Sequence, residues 1–165
     1  VTFTIAYLDE HQNAIPSLAA WHHEAWSALA PHLSVADRIA GFTARARRGS
    51  IPTGFVALIE SVVVGMACLV ECDVESHRHL TPWLATVLVG PAYRGHGIGS
   101  ALCERAIDEA AALGTSTLYL FTFDKEAFYA RLGWSVLEPA QLAGVPGTIM
   151  SRALRPARLS SRAGR

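Results

Sequence analysis

Polar and apolar positions alternate over the first eight residues, V-T-F-T-I-A-Y-L, the period of a strand with one buried face. Residues 15–32 change to helical spacing and predict a helix, with Pro16 tolerated in its first turn and Pro31 near its end. On it, Trp21 and Trp26 pack inward or edge a cleft. Ser34 opens a second helix, because Asp37 stands at the capping-box position. That helix is expected to end near Gly49, with Arg45, Arg47 and Arg48 as a solvated last turn favourable to the dipole. Two apolar runs, 55–59 and 62–72, flank Glu60-Ser61 and read as a hairpin of buried strands. A polar loop, 71–79, separates them from an apolar strand at 83–89.

Beyond a turn at Gly90-Pro91, Ile98, Leu102, Ala106, Ala110 and Leu113 repeat at helical spacing, with Glu104, Arg105, Asp108 and Glu109 opposite. Residues 118–122 form a continuous apolar run, as a buried parallel strand does. Residues 125–132 predict a short helix stopped by Gly133 at its C′ position. The last strand pair is expected at 134–137 and 148–154, and the Arg/Ser/Ala-rich residues 155–165 as a disordered tail. Residues 1–154 then make one domain. Its element order predicts an α/β (α+β) fold with a mixed sheet.

Composition removes several function classes. The formal net charge of zero offers no bulk attraction to nucleic acid or membrane. The longest apolar stretch, 62–70, is about half of what a membrane span needs. Three cysteines, Cys68, Cys72 and Cys103, leave one unpaired in any scheme, and the first residues lack the basic region of a secretory signal. A reduced, cytoplasmic protein is expected. Cys68 and Cys72 have no histidines at ligand spacing, so buried thiols and no metal are expected. His22-His23-Glu24 resembles the start of a zinc-protease helix motif, but Ser27 stands where the second histidine must be.

The chemistry concentrates between residues 87 and 102, V-L-V-G-P-A-Y-R-G-H-G-I-G-S-A-L. Glycines 95, 97 and 99 sit where a strand becomes a helix. There the first helical N–H groups lack partners and the dipole favours an anion. Arg94 adds a positive charge at the mouth. A tight connection needing only positive φ is the plainer reading. A dinucleotide fingerprint fails at its third glycine, which falls on Ser100 or Leu102, although Asp124 does end the next strand. A P-loop fails for want of Gly-Lys-Ser/Thr.

Arg94-x-x-Gly97-x-Gly99, preceded by Val-x-Pro, resembles the acetyl-CoA pyrophosphate loop R/Q-x-x-G-x-G/A of the GCN5-related N-acetyltransferase (GNAT) superfamily. Some thirty residues on, A-F-Y-A-R-L-G-W at 127–134 is similar to that superfamily's F-Y-x-x-L-G-F/W segment. The resemblance covers residues 62–137 well. It implies a mixed, mostly antiparallel sheet flanked by helices, in which strands 83–89 and 118–122 run parallel and splay apart. It implies an enzyme with acetyl-CoA as donor, no metal, and a primary amine acceptor, either a small molecule or a protein or peptide N-terminus. Val87, Leu88 and Val89 would hold the pantetheine arm. Arg94, Gly95, His96, Gly97, Ile98, Gly99 and Ser100 would hold the pyrophosphate, with Phe128 and Asp124 as further cofactor contacts. Asp124 departs from the superfamily, where many members carry Asn, and a carboxylate is repelled by phosphate.

Tyr129 would give the leaving sulfur its proton; packing against Phe128 is its plainer role. Strand 83–89 carries no acid, so the acceptor and its base are sought at Trp83 and on the loop, at Glu71, Asp73, Glu75, His77 and His79. A homodimer stays open. A non-catalytic acyl-CoA sensor and a nucleotide-binding oxidoreductase are the alternatives.

Overall fold

Residues 1–155 are described by the computed structural model of the chain; the expected tail at 156–165 lies outside the described residues. The alternating N-terminus gives a short strand, β1 (Thr4–Tyr7), followed by a 3-10 stretch at Leu8–Ala14. Helix α1 spans Ile15–Trp26. It stops six residues before the expected end at residue 32, because Pro31 disfavours the helical conformation at Ala30 and supplies no N–H. Helix α2 spans Val35–Ala44 and starts with the capping box read from the sequence. Asp37 N–H donates to Ser34 Oγ at 3.1 Å, and Ser34 N–H donates to Asp37 Oδ2 at 2.8 Å.

The expected arginine-rich last turn of α2 does not form. The helix ends at Ala44, Arg45 turns under the sheet, and Arg48 crosses to Asp9 and Glu10. Strands β2 (Thr53–Ile59) and β3 (Val62–Val70) make the expected hairpin. Its turn residues Glu60 and Ser61 both take positive φ, 48° and 69°, matching the twist of the strands they join. Strand β4 is Trp83–Val89, helix α3 Ile98–Ala112, strand β5 Thr117–Thr122 and helix α4 Glu126–Arg131. The last pair is longer than expected: β6 (Ser135–Leu142) turns at Ala143-Gly144 into β7 (Val145–Ala153). Strand β6 lies at the sheet edge, so it tolerates Pro139 and lacks the apolar pattern of a central strand.

The seven strands form one sheet in the order β1-β2-β3-β4-β5-β7-β6. Every neighbouring pair is antiparallel except β4 and β5. That parallel pair meets at one position, Trp83 opposite Tyr119, with Tyr119 N–H donating to the Pro82 carbonyl at 3.1 Å. Beyond this rung the two strands part, as the resemblance implies. One sheet face buries Phe55, Val64, Leu69, Leu84, Leu118 and Leu120 against α3, whose Leu102, Ala106 and Ala110 stripe was legible in the sequence. The other buries Val56, Met66, Trp83 and Leu88 against Leu18 of α1 and Phe42 of α2. Each fully buried Leu, Val or Phe contributes about 1.5–3 kcal/mol, so both layers fix the sheet and, with it, the parting of β4 from β5.

Candidate active site

Strand β4 is kinked next to the split. Met66 of β3 faces Leu88 and Cys68 faces Ala85, so two residues, Thr86 and Val87, share the position across from Ala67. Thr86 takes φ 57°, a left-handed conformation unfavourable for a β-branched residue. The Arg45 guanidinium holds it there: Nη1 donates to Thr86 Oγ1 at 2.9 Å. After the bulge that holds Thr86 and Val87, Leu88 and Val89 pair with β3 on one side, while β5 has already diverged on the other. Their outward backbone groups therefore line an opening and have no ladder partner on β5. Arg94 Nε closes its top by donating to the Val89 carbonyl at 3.0 Å.

The glycine segment continues from there. Gly90 is buried, and a Cβ on it would lie 3.2 Å from Trp21 Cη2 and 3.1 Å from Tyr93 Cδ2. Gly95 and Gly97 take φ 79° and 78°, and nothing lies within 4 Å of where their Cβ atoms would be. Gly97 is the N-cap of α3 and has no side chain to cap it. The first N–H groups of α3 thus face open space with the positive end of the helix dipole. Gly99 looks toward Phe128 Cζ and Val89 Cγ2, each 3.7 Å from its virtual Cβ. The end of β4, the start of α3 and α4 therefore converge on one point. His96 is exposed, Ser100 half-buried, and the Ile98 side chain is in the core, so only its backbone faces the loop.

Tyr129 projects from α4 toward the same region. Its ring stands edge-on to Phe128, with centroids 4.9 Å apart, and 6.2 Å from Trp134. Burial raises its pKa well above the usual phenol value, with smaller contributions from Cys103 and Asp73. The hydroxyl is therefore a proton-bearing donor throughout the neutral range.

The loop at 71–79 divides. Glu71 and His79 are exposed, and Glu75 pairs with Arg78 on the surface. His77 Nε2 lies 2.6 Å from Glu138 Oε1 on β6. Asp73 is half-buried, and burial pushes its carboxyl up to about 6 against the opposing pull of Arg45. Trp83 has no exposed surface and donates Nε1–H to the Leu80 carbonyl at 2.6 Å, a core position at the root of the split. Asp124 is not gathered in: its side chain is 75% exposed and its nearest cation is Lys125 at 3.9 Å. Sequence reasoning missed Arg45, Thr86 and Glu138. Their partners lie 41 residues away for Arg45 and 61 for Glu138, which no local pattern encodes.

The acetyltransferase (GNAT) family profile matches residues 15–134. Over 55 residues the chain is 40% identical to the amino-acid acetyltransferase of Mycobacterium tuberculosis (strain ATCC 25618 / H37Rv), covering 33% of this chain and 31% of that one. Over 80 residues it is 40% identical to N-alpha-acetyltransferase 80 of Mus musculus, covering 48% of this chain and 24% of that one. The chain therefore aligns with a third or less of each of these curated relatives. Among solved structures, the N-acetyltransferase from Staphylococcus aureus Mu50 has a TM-score of 0.74 at 19% identity, covering 94% of this chain and 100% of that one. The fold is also that of N-acetylglutamate synthase from Neisseria gonorrhoeae, solved with coenzyme A and N-acetyl-glutamate: TM-score 0.69, 18% identity, 94% of this chain and 36% of that one.

Proposed function

The chain belongs to the acetyltransferase (GNAT) family, and on that premise we propose that it moves an acetyl group directly from acetyl-CoA to a primary amine. The observation that carries this reading is the kinked, half-unpaired β4 leading into the open start of α3. An extended amide-bearing arm needs backbone partners along an unpaired strand, which Val87, Leu88 and Val89 offer. A pyrophosphate needs close backbone N–H groups and positive charge. Gly95, Gly97 and Gly99 keep the approach clear, His96, Ile98 and Ser100 add backbone N–H groups, and Arg94 stands at the rim. Phe128 walls the approach beside Gly99. Asp124 has no part in it, since its exposed carboxylate would repel phosphate.

Bound acetyl-CoA supplies the activated thioester. The chain's residues do the rest. Asp73, ionised above about pH 6, takes a proton from the incoming ammonium group. The freed amine nitrogen forms the new C–N bond as the C–S bond breaks. Tyr129 gives its hydroxyl proton to the departing sulfur, which leaves as a thiol. The second proton, shed by the new amide nitrogen as the C–S bond breaks, restores the phenol, so that the one proton held by Asp73 is the net proton released. Backbone N–H groups at the β4 kink stabilise charge gathering on the carbonyl oxygen in this reading. The acceptor class spans small amines and peptide N-termini, the activities named for the relatives in amino-acid and N-alpha acetylation. No helix among the described residues is long and apolar enough to cross a membrane. The three free thiols fit a reducing, cytoplasmic setting.

The test is acetyl-CoA binding by calorimetry together with thiol release over an amine panel. Binding with amine-dependent release is expected. Binding without release to any amine would replace the enzyme with a sensor, and no binding would end the reading.

A further inference from the structure

One residue of β4 decides which way the rest of that strand faces. Ala85 lies across from Cys68, and Leu88 across from Met66. All four are buried on the α1–α2 face of the sheet. Two residues, Thr86 and Val87, stand between Ala85 and Leu88, so plain alternation would put Leu88 on the opposite face. Val87 packs with Ala67 on the α3 face, which leaves Thr86 as the extra residue that absorbs the step. Without it, Val87, Leu88 and Val89 would exchange faces. The step is taken at φ 57°. A glycine or an asparagine would ordinarily occupy such a position. A β-branched residue stays there when its surroundings fix it.

The fixing contact is the 2.9 Å hydrogen bond from Arg45 Nη1 to Thr86 Oγ1. Arg45 serves as a strut because both of its ends are held. Its backbone is the C-cap of α2, with N–H donating to the Phe42 carbonyl at 3.0 Å. Its half-buried guanidinium stands over the Phe42 ring, 5.5 Å from the centroid, and close to the buried thiol of Cys68. Helix α2 is in turn pinned to α1 by Arg38, which is only 4% exposed and whose Nε donates to His22 Nδ1 at 3.0 Å. The strut therefore runs from a braced helix to the one strained residue of the strand that borders the split.

Resting on the acetyl-transfer reading above, we infer that Arg45 is a positioning residue for that reaction. By holding Thr86 in its left-handed conformation, it aims the backbone N–H groups of the β4 kink, and the unpaired edge of the strand beyond it, at the thioester. It touches neither substrate. Its effect on the reaction passes through the Thr86 hydroxyl, which separates this role from ordinary packing against Phe42 and Cys68.

The experiment is a double-mutant cycle on Arg45 and Thr86. Its first readout is thiol release from acetyl-CoA with an amine taken from the panel. Its second is calorimetry with acetyl-CoA and with the nucleotide half of coenzyme A, which carries the phosphates and lacks the pantetheine arm. Arg45→Gln should lower kcat about 10- to 100-fold and weaken acetyl-CoA binding, while KM for the amine and affinity for the nucleotide half stay within about twofold. Thr86→Val keeps the shape, removes the hydroxyl and should reproduce that loss. Thr86→Ser keeps the hydroxyl and should retain about tenfold more kcat than Thr86→Val. Thr86→Gly accepts positive φ without help, so adding Arg45→Gln to it should change kcat by no more than about threefold. If Arg45→Gln does not fold, the ratio of Thr86→Ser to Thr86→Val decides, and equal kcat values overturn the inference. If acetyl-CoA binds but no amine releases thiol, the same cycle is read on acetyl-CoA affinity relative to the nucleotide half. An unchanged kcat in Arg45→Gln, or a loss of equal size with and without Thr86→Gly, overturns the inference and leaves acetyl transfer standing. Failure of the unaltered protein to bind acetyl-CoA overturns both readings.

Discussion

Asp73 leads to a prediction about stability, separate from turnover. Its carboxyl titrates near 3.8 in an unfolded chain and at about 6 in the folded one, because burial outweighs the pull of Arg45. Between these values the folded state binds the extra proton, so stability falls as pH rises through the window. Below about pH 4 the carboxyl is protonated in both states and the penalty is absent. Above about pH 6 the full penalty is present. At about 1.4 kcal/mol per pH unit between the two values, the penalty is about 3 kcal/mol. Asp73→Asn keeps the shape and removes the charge. It should stabilise the protein by up to about 3 kcal/mol at pH 8 and by close to nothing at pH 4. For a chain of this length, that is a Tm rise of about 6–12 °C at the higher pH. The assay is thermal or urea unfolding of both proteins across this range. Melting curves that track one another within about 1 °C at every pH would show that the carboxyl is well solvated, and the reasoning that makes it a base would fail with it.

Other outcomes follow from the same geometry. The kcat/KM profile should have an acid limb near pH 6, set by Asp73, that disappears in Asp73→Asn; an unchanged limb assigns it to another group. Gly97→Val places a Cβ-bearing, β-branched residue at φ 78°, which costs about 1–2 kcal/mol, and should abolish acetyl-CoA binding in a protein that still folds. Unchanged affinity by calorimetry would place the pyrophosphate elsewhere. Tyr129→Phe should lower kcat about 10- to 1000-fold with acetyl-CoA affinity unaltered; an unaffected kcat would reduce Tyr129 to packing against Phe128 and Trp134. Gly147→Ala would set its Cβ 2.7 Å from the Thr122 carbonyl and 2.9 Å from Phe121 Cε2. It should lower stability by about 1–3 kcal/mol in urea melts, and a neutral result would mean that β7 shifts freely against β5.

What the sequence disclosed was local. The Ser34–Asp37 capping box, the Glu60-Ser61 turn and the apolar stripe of α3 each depend on neighbours within one turn, and each is present. The glycine loop was legible for the same reason, since its conformation is dictated by residues that lack a Cβ. Arg45 was misread because an arginine after a helix is ordinarily in water; what turns it inward is Thr86, 41 residues on. The strand at β6 was cut short at Leu137, since an edge strand need not alternate strictly and Pro139 reads as a stop. The loop at 71–79 presented five titratable side chains of equal merit. Only packing separates Asp73, whose carboxyl burial pushes up, from Glu75, which pairs in solvent, and from His77, which crosses to Glu138.

The single rung between β4 and β5 has a mechanical consequence. Strands β1 to β4 come from one unbroken stretch of chain, and β5, β6 and β7 from another, so the sheet is two leaves, each complete in its own ladder. In the backbone ladder, the leaves are joined by little more than the hydrogen bond from Tyr119 to Pro82, about 1 kcal/mol. Helix α3 lies on the leaf of β1 to β4, and its Leu102 and Ala106 share one buried apolar cluster with Leu84 of that leaf and with Leu118 and Leu120 of the other. The seam is therefore held shut by side-chain burial on the faces of the sheet and left open along its backbone edge, where an extended ligand can pair without displacing a strand.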